Sequence, residues 1–184
     1  MRYPKECVLK ECMEAVIRPL EADDRQLLGK FYTQISDSDR WFMNYDVMDA
    51  AIMDKWFTAV EEGRVHSILA LCEDKIIGQG SLYMREFGAT SHVGRFRIVV
   101  LPEFRKKRLG TWLLLDLIQL AMDRGLEILR ADLVVGLEDQ AIDAVQKFDF
   151  FPYGKLKDYV KDIHGNRQDV VIMIKRLHKE WSDY

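Results

Sequence analysis

The sequence predicts a single α/β (α+β) domain built on a mixed, mostly antiparallel central sheet with helices on both faces. Three observations predict it. Apolar, β-branched runs of strand length recur along the chain, stretches of helical periodicity lie between them, and one strand–basic turn–helix unit stands at residues 93–125. The resulting order is two strands, two helices, a hairpin, strand–helix–strand–helix and a closing hairpin, which calls for packed layers of sheet and helix. With 184 residues, 48% of them hydrophobic, the chain can bury a substantial core within one domain, 1–184.

Glu6 to Lys10 and Glu14 to Leu20 read as short strands around a polar turn flanked by Cys7 and Cys12. Asp23-Asp24 opens a helix whose apolar positions Leu27, Leu28, Phe31 and Ile35 repeat at helical spacing, and Ser36-Asp37-Ser38-Asp39 is expected to break it. Arg40-Trp41-Phe42-Met43 is an aromatic patch, and Asp49 to Val60 is an amphipathic helix through Ile52, Trp56 and Phe57. Val65–Cys72 and Lys75–Arg85 form a hairpin across Glu73-Asp74, followed by a loop at 87–92. After Gly125 come a strand at Ile128–Val135 and a helix at Glu138–Phe148. Strands at Tyr153–Lys161 and Gln168–Leu177 then turn at His164-Gly165-Asn166.

The middle unit carries the chemistry. Phe96 to Leu101 is an apolar strand interrupted by Arg97 and closed by Pro102. Arg105-Lys106-Lys107-Arg108 and Leu109-Gly110-Thr111 lead into an apolar helix, Trp112 to Met122, ended by Gly125. At about 15 residues with a central Asp116, this helix is a core element and too short to span a bilayer. Its first amides lack intrahelical partners, the helix dipole adds roughly half a positive charge, and Gly110 offers no Cβ to obstruct a ligand. A diphosphate suits such a turn; a solvated basic loop capping a core helix is the alternative.

Leu101-Pro102-Glu103-Phe104-Arg105 followed by Leu109-Gly110-Thr111 resembles the acyl-CoA-binding motif of the GNAT N-acetyltransferases, whose core reads [QR]-x-x-G-x-[GA]. Arg105 fills the first position and Gly110 the last, while Arg108 stands at the first glycine. Lys75-Ile76-Ile77-Gly78-Gln79-Gly80 is similar to the family strand in which small residues let the sheet bend, and the order of elements agrees throughout. Within the superfamily the chain is most similar in look to domains of the protein lysine acetyltransferase type. The resemblance implies acetyl-CoA held by Val99, Val100, Leu101 and Arg105 to Thr111, an oxyanion contact from the backbone around Val99–Leu101, and an acceptor wall built by the early helices. It implies an acceptor that is a primary amine of a small molecule or a protein lysine, no metal, and a monomer or homodimer.

The departures from the family concern proton transfer. Its glutamate base falls at Arg95, its tyrosine acid at Val145, its asparagine at Glu138 and its late glycine at Asp149. His92, an imidazole that opens the central strand, Glu86 and Asp132 are the replacement candidates for the base. Arg108 is expected to take an ordinary backbone conformation, leaving its guanidinium free for a phosphate or Glu103. A non-catalytic module that binds CoA thioesters is the alternative that the missing glutamate and tyrosine raise.

A net charge of −3 argues against a nucleic-acid binder. Three cysteines with no zinc spacing read as reduced thiols, and MRYPKECVLKE lacks the apolar region of a signal peptide, so a cytoplasmic protein without a membrane partner is expected.

Overall fold

A computed structural model of the chain describes residues 3–10, 13–43 and 45–177. Its elements are β1 (Lys5–Val8), β2 (Glu14–Pro19), α1 (Arg25–Thr33), α2 (Asp37–Trp41), α3 (Ala50–Glu61), β3 (Val65–Cys72), β4 (Lys75–Tyr83) and β5 (Val93–Val100). They continue with α4 (Leu109–Asp123), β6 (Ile128–Val134), α5 (Asp139–Gln146), β7 (Phe151–Lys161) and β8 (Arg167–Arg176). All eight strands form one sheet in the order β1-β2-β3-β4-β5-β6-β8-β7. Its ladders are antiparallel except β5 with β6, which run parallel. The mixed, mostly antiparallel sheet is therefore the one the order of elements predicts.

Helices cover both faces, but unequally. On one face α4 and α5 bury Leu113, Leu117 and Val145 against Ile68, Leu82, Leu129, Ala131 and Met173. On the other, α1 and α3 bury Leu28, Phe31, Trp56 and Phe57 against Leu69 and Ile76, over β3 and β4. The side chains pointing the same way from β6 and β8, among them Arg130, Asp132, Ile172 and Ile174, remain half exposed. Among the described residues no helix is long and apolar enough to cross a membrane.

Three local results differ from expectation. Ser36 does not end the helical region but restarts it: its hydroxyl accepts the Asp39 N–H at 3.2 Å, an N-cap that launches α2. β5 begins at Val93, three residues before its apolar run, because pairing with β4 and β6 supports Gly94 and Arg95 in extended form. Gly78 and Gly80 make room for α4. A Cβ at Gly78 would stand 3.1 Å from a Leu109 methyl, and one at Gly80 would stand 3.0 Å from a Leu117 methyl. Cys7 is a buried free thiol, and Cys12 lies outside the described residues.

Asp116, 1% exposed in the middle of α4, is the charged member of this core. Lys5 of β1 reaches it with its ammonium, which also stands 6.0 Å from the Trp112 ring centroid. The pair fastens the edge strand to the helix.

Candidate active site

The site begins where two parallel strands part. β5 and β6 pair only at Val93–Ile128, Gly94–Leu129 and Arg95–Arg130. Beyond that point β5 stays with β4 as far as Val100–Gly78, while β6 stays with β8 as far as Val134–Val170. Each strand follows its own half of the sheet, and a V-shaped opening results. It widens into a cleft of about 740 Å³ walled by Ile98 and Val100, Ala131 and Leu133, and Val145.

Successive strand residues direct their amides to opposite edges. The Leu101 N–H donates to Ile77 O at 3.0 Å, on the β4 side. Val99 shares that orientation, whereas Ile98 and Val100 turn their N–H groups toward the opening. Within the stretch Val99–Leu101, Val100 is therefore the residue whose N–H faces the opening, with Ile98 the next along the strand, because Leu101 is already bonded.

The basic turn closes the wide end. A 3₁₀ turn at Pro102–Phe104 leads to Lys106 and Arg108, both left-handed at φ 60° and 70°. Arg108 thus keeps a glycine-like backbone at the motif's glycine position, which corrects the ordinary conformation expected there. Asp149, at the family's late glycine, does the same with φ 61°. Such a conformation costs a non-glycine residue about 1–2 kcal/mol. Thr111 and Trp112 both donate to Arg108 O, at 3.1 and 3.2 Å, and among the described residues no acceptor takes the Leu109 or Gly110 N–H. A Cβ on Gly110 would meet nothing within 4 Å, so the space in front of these two amides is open.

Of the residues predicted to hold a cofactor, Val99, Val100, Arg105, Lys106 and Gly110 line the cleft. Leu101 and Leu109 are core side chains, 2% and 1% exposed, so only their backbones face the turn. Lys107, Arg108 and Thr111 are not among the lining residues, and Lys107 O accepts the Lys10 N–H at 3.3 Å. The Arg105 side chain is engaged within the protein: Nε donates to Val100 O at 3.1 Å, and a terminal nitrogen meets Asp39 of α2 at 2.7 Å.

The proposed bases fare differently. His92 precedes β5 at the end opposite the turn, roughly 23 Å along the strand from Val99 at the usual rise per residue. Glu86 is exposed in the loop at that same end. Neither lines the cleft, so both assignments are corrected on distance. Asp132 sits on β6 near the parting point, with its carboxylate held by Arg130 at 2.6 and 3.0 Å and with Arg95 at 3.9 Å. Both of its carboxylate oxygens are taken up by Arg130, and Asp132 is not among the residues lining the cleft.

Sequence reasoning missed the groups that do face the opening. Arg97 meets Glu138 at 2.6 Å, a bridge from β5 to the start of α5 across the gap, and Glu138 also accepts the Val134 N–H at 2.8 Å. The signal was present, since Arg97 is the one charge inside the apolar run Phe96–Leu101 and Glu138 replaces a family asparagine. His164, from the β7–β8 turn, lines the cleft, and Asp162 secures that turn through the His164 and Asn166 amides, both at 2.9 Å. α2 spans from Arg105 to the hairpin, where the Trp41 indole N–H donates to Lys161 O at 2.7 Å. Beside Arg97, a small polar recess holds the Tyr45–Tyr83 hydroxyl pair at 2.8 Å, and burial pushes the Tyr45 hydroxyl well above the usual tyrosine range. Val145, at the family's tyrosine position, is 5% exposed and packs in the core. Among the described residues no group of three or more His, Cys, Asp or Glu could hold a metal ion.

Solved structures share this architecture. An N-acetyltransferase from Staphylococcus aureus Mu50 superposes with a TM-score of 0.77 at 19% identity, covering 89% of this chain and 99% of its own. The GNAT domain of PAT from S. lividans gives 0.74 at 19%, covering 95% and 97%. The yncA protein of Salmonella typhimurium, solved with its cofactor acetyl-CoA, gives 0.76 at 17%, covering 91% and 96%. No curated protein sequence matches the chain. The model of the acetyltransferase (GNAT) family matches residues 30–150, about two thirds of the sequence, and the chain belongs to that family.

Proposed function

We propose that the protein transfers an acetyl group from acetyl-CoA to a primary amine of a small molecule or a protein. The observation that carries this reading is the parting of β5 and β6 in front of two unpartnered amides at a basic helix start. Acetyl-CoA supplies an activated thioester carbonyl. The Leu109 and Gly110 amides, with the Lys106 charge and the α4 dipole, suit its diphosphate. The Val100 and Ile98 amides are the donors available to its acyl oxygen, a type of contact worth about 2.7–4 kcal/mol in acyl transfer. With His92 and Glu86 at the far end of the sheet, the carboxylates and imidazole lining the cleft are Asp39, Glu138, Asp139, Asp162 and His164, and an amine that arrives neutral needs none of them.

The test is CoA release over a broad panel of amines, peptides and proteins, with calorimetry of acetyl-CoA binding beside it. Wild-type protein should bind acetyl-CoA saturably, and Gly110→Trp, which fills the open space before the helix, should weaken binding at least tenfold. No saturable binding, or binding untouched by Gly110→Trp, overturns the reading. Saturable binding without release from any acceptor would favour the non-catalytic module, which Arg95 and Val145 at the usual acid–base positions support.

A further inference from the structure

The half-open face of the sheet beside the cleft carries a charge arrangement that its own packing does not require. Arg95 and Arg130 occupy directly paired positions on β5 and β6, at the last rung before the strands part. Like charges on opposed strand positions are destabilising. Arg97, two residues along β5, points to the same face. Against these three guanidiniums stand two carboxylates, Asp132 and Glu138.

The partners are unequally shared. Glu138 is committed to Arg97, and Asp132 is gripped in two-pronged fashion by Arg130. Arg95 reaches Asp132 only at 3.9 Å, its one acidic partner among the described residues, and its side chain is 59% exposed. One positive charge is therefore unmatched, in a planar fork suited to a carboxylate. Along the same rung Tyr83 is paired with Arg95 on one side, and Ile174 with Arg130 on the other. Arg95 is exposed and Arg130 half-buried on this rung, and a bound molecule reaching the opening of the V from that face would pass over Arg95.

We propose that the acceptor is an amine that also carries a carboxylate, and that Arg95 is the residue that selects it. This rests on the acetyl-transfer reading above. The unmatched guanidinium takes the carboxylate while the amine is directed into the opening. The same positive field disfavours diamines and polycations, and it lowers the pKa of an amine held near it, so more of the nucleophile is neutral. A carboxylate could come from a free amino acid or from an acidic residue beside a peptide N-terminus, and the same guanidinium would serve both.

The experiment compares matched acceptors. Free glutamate, glycine and an Asp-second peptide are each paired with their carboxamide or Asn analogue, and a diamine is added. KM from CoA release and Kd from calorimetry with CoA present are measured for each. The carboxylate member of at least one pair should win by about tenfold, which is about 1.4 kcal/mol. Whether the free amino acid or the peptide wins identifies the source. Arg95→Gln should bring that ratio close to one, Arg95→Lys should keep part of it, and Arg95→Glu should turn preference toward the diamine, with acetyl-CoA affinity unchanged in all three. Equal use of acids and amides by the wild type, a wild-type preference for the diamine, or a ratio that survives Arg95→Gln overturns the inference. If no acceptor releases CoA, the transfer reading fails, while calorimetric binding of the carboxylates still decides the role of Arg95.

Discussion

The two halves of the sheet are built on different terms. In the first half β3 and β4 are packed on both faces, and β4 is buried along seven consecutive residues, Ile76 to Leu82. Polar groups caught inside it are satisfied: the Tyr32 hydroxyl donates to Gln79 at 2.7 Å, and Gln79 donates to Ser67 at 3.0 Å. From β5 to β8 one face is largely uncovered, the strands part, and charge accumulates at the parting. β7, at the edge, exposes Phe151, Tyr153 and Tyr159, and is guarded by Lys155, Lys157, Pro152 and an irregular register that discourage edge pairing. The closed half supplies stability and holds β5 in place. The open half forgoes burial, and only there can a ligand reach backbone amides.

The largest effect is expected on the closed side. Lys5→Met leaves the Asp116 carboxylate buried without its ammonium. Loss of one partner of a buried pair costs about 3–5 kcal/mol, and the low end is expected because the Lys5 side chain is 37% exposed. Urea denaturation should show the loss as a lower midpoint, with acetyl-CoA affinity of the folded protein unchanged. A midpoint within experimental error of wild type would mean that the pair contributes nothing to holding β1.

Two glycines sharpen the contrast. A Cβ at Gly94 would lie 2.6 Å from a Leu126 methyl and 2.9 Å from a Leu82 methyl, whereas one at Gly110 meets no atom. Gly94→Ala should therefore destabilise by about 1–3 kcal/mol through overpacking. Gly110→Ala should leave stability within about 0.5 kcal/mol and act on acetyl-CoA binding instead. Equal thermal shifts for the two variants would refute the contrast between the filled core around Gly94 and the open space in front of Gly110.

The smallest effect tests the turn itself. Arg108 holds a left-handed backbone at φ 70° without a glycine's freedom. Arg108→Gly should relieve that strain and raise stability by about 1 kcal/mol, read from the denaturation midpoint. Its exposed side chain is not among the residues lining the cleft, so acetyl-CoA affinity should change little and show weak dependence on salt. Substantial loss of affinity at low salt would instead give the guanidinium a direct part in binding.

Much of the fold is legible in the chain because its signals are local. Hydrophobic periodicity marks α3 and α4, alternation and turn residues mark the β3–β4 and β7–β8 hairpins, and the basic turn announces the start of α4. Family resemblance adds the order in which these pieces assemble. The acid–base groups were harder to read, since a residue's type and its nearness to the central strand in sequence do not say at which end of the sheet it lies. His92 looked apt by chemistry and sits at the wrong end of an eight-residue strand.

By itself the sequence determined the element types and their order apart from α2, the helix-start turn and the absent glutamate and tyrosine, because these depend on neighbours within a few residues. Tertiary structure alone decided three other things. It set the rung at which β5 and β6 part, since that follows from which neighbour each strand keeps. It decided that Ile98 and Val100, rather than Leu101, face the opening, since strand amides alternate and Leu101 is bonded to Ile77. It also brought Arg95, Arg97, Arg130, Asp132 and Glu138 to one place from three elements. Contacts between distant segments carry no local sequence pattern, and the charge balance of that face exists only once the sheet has formed.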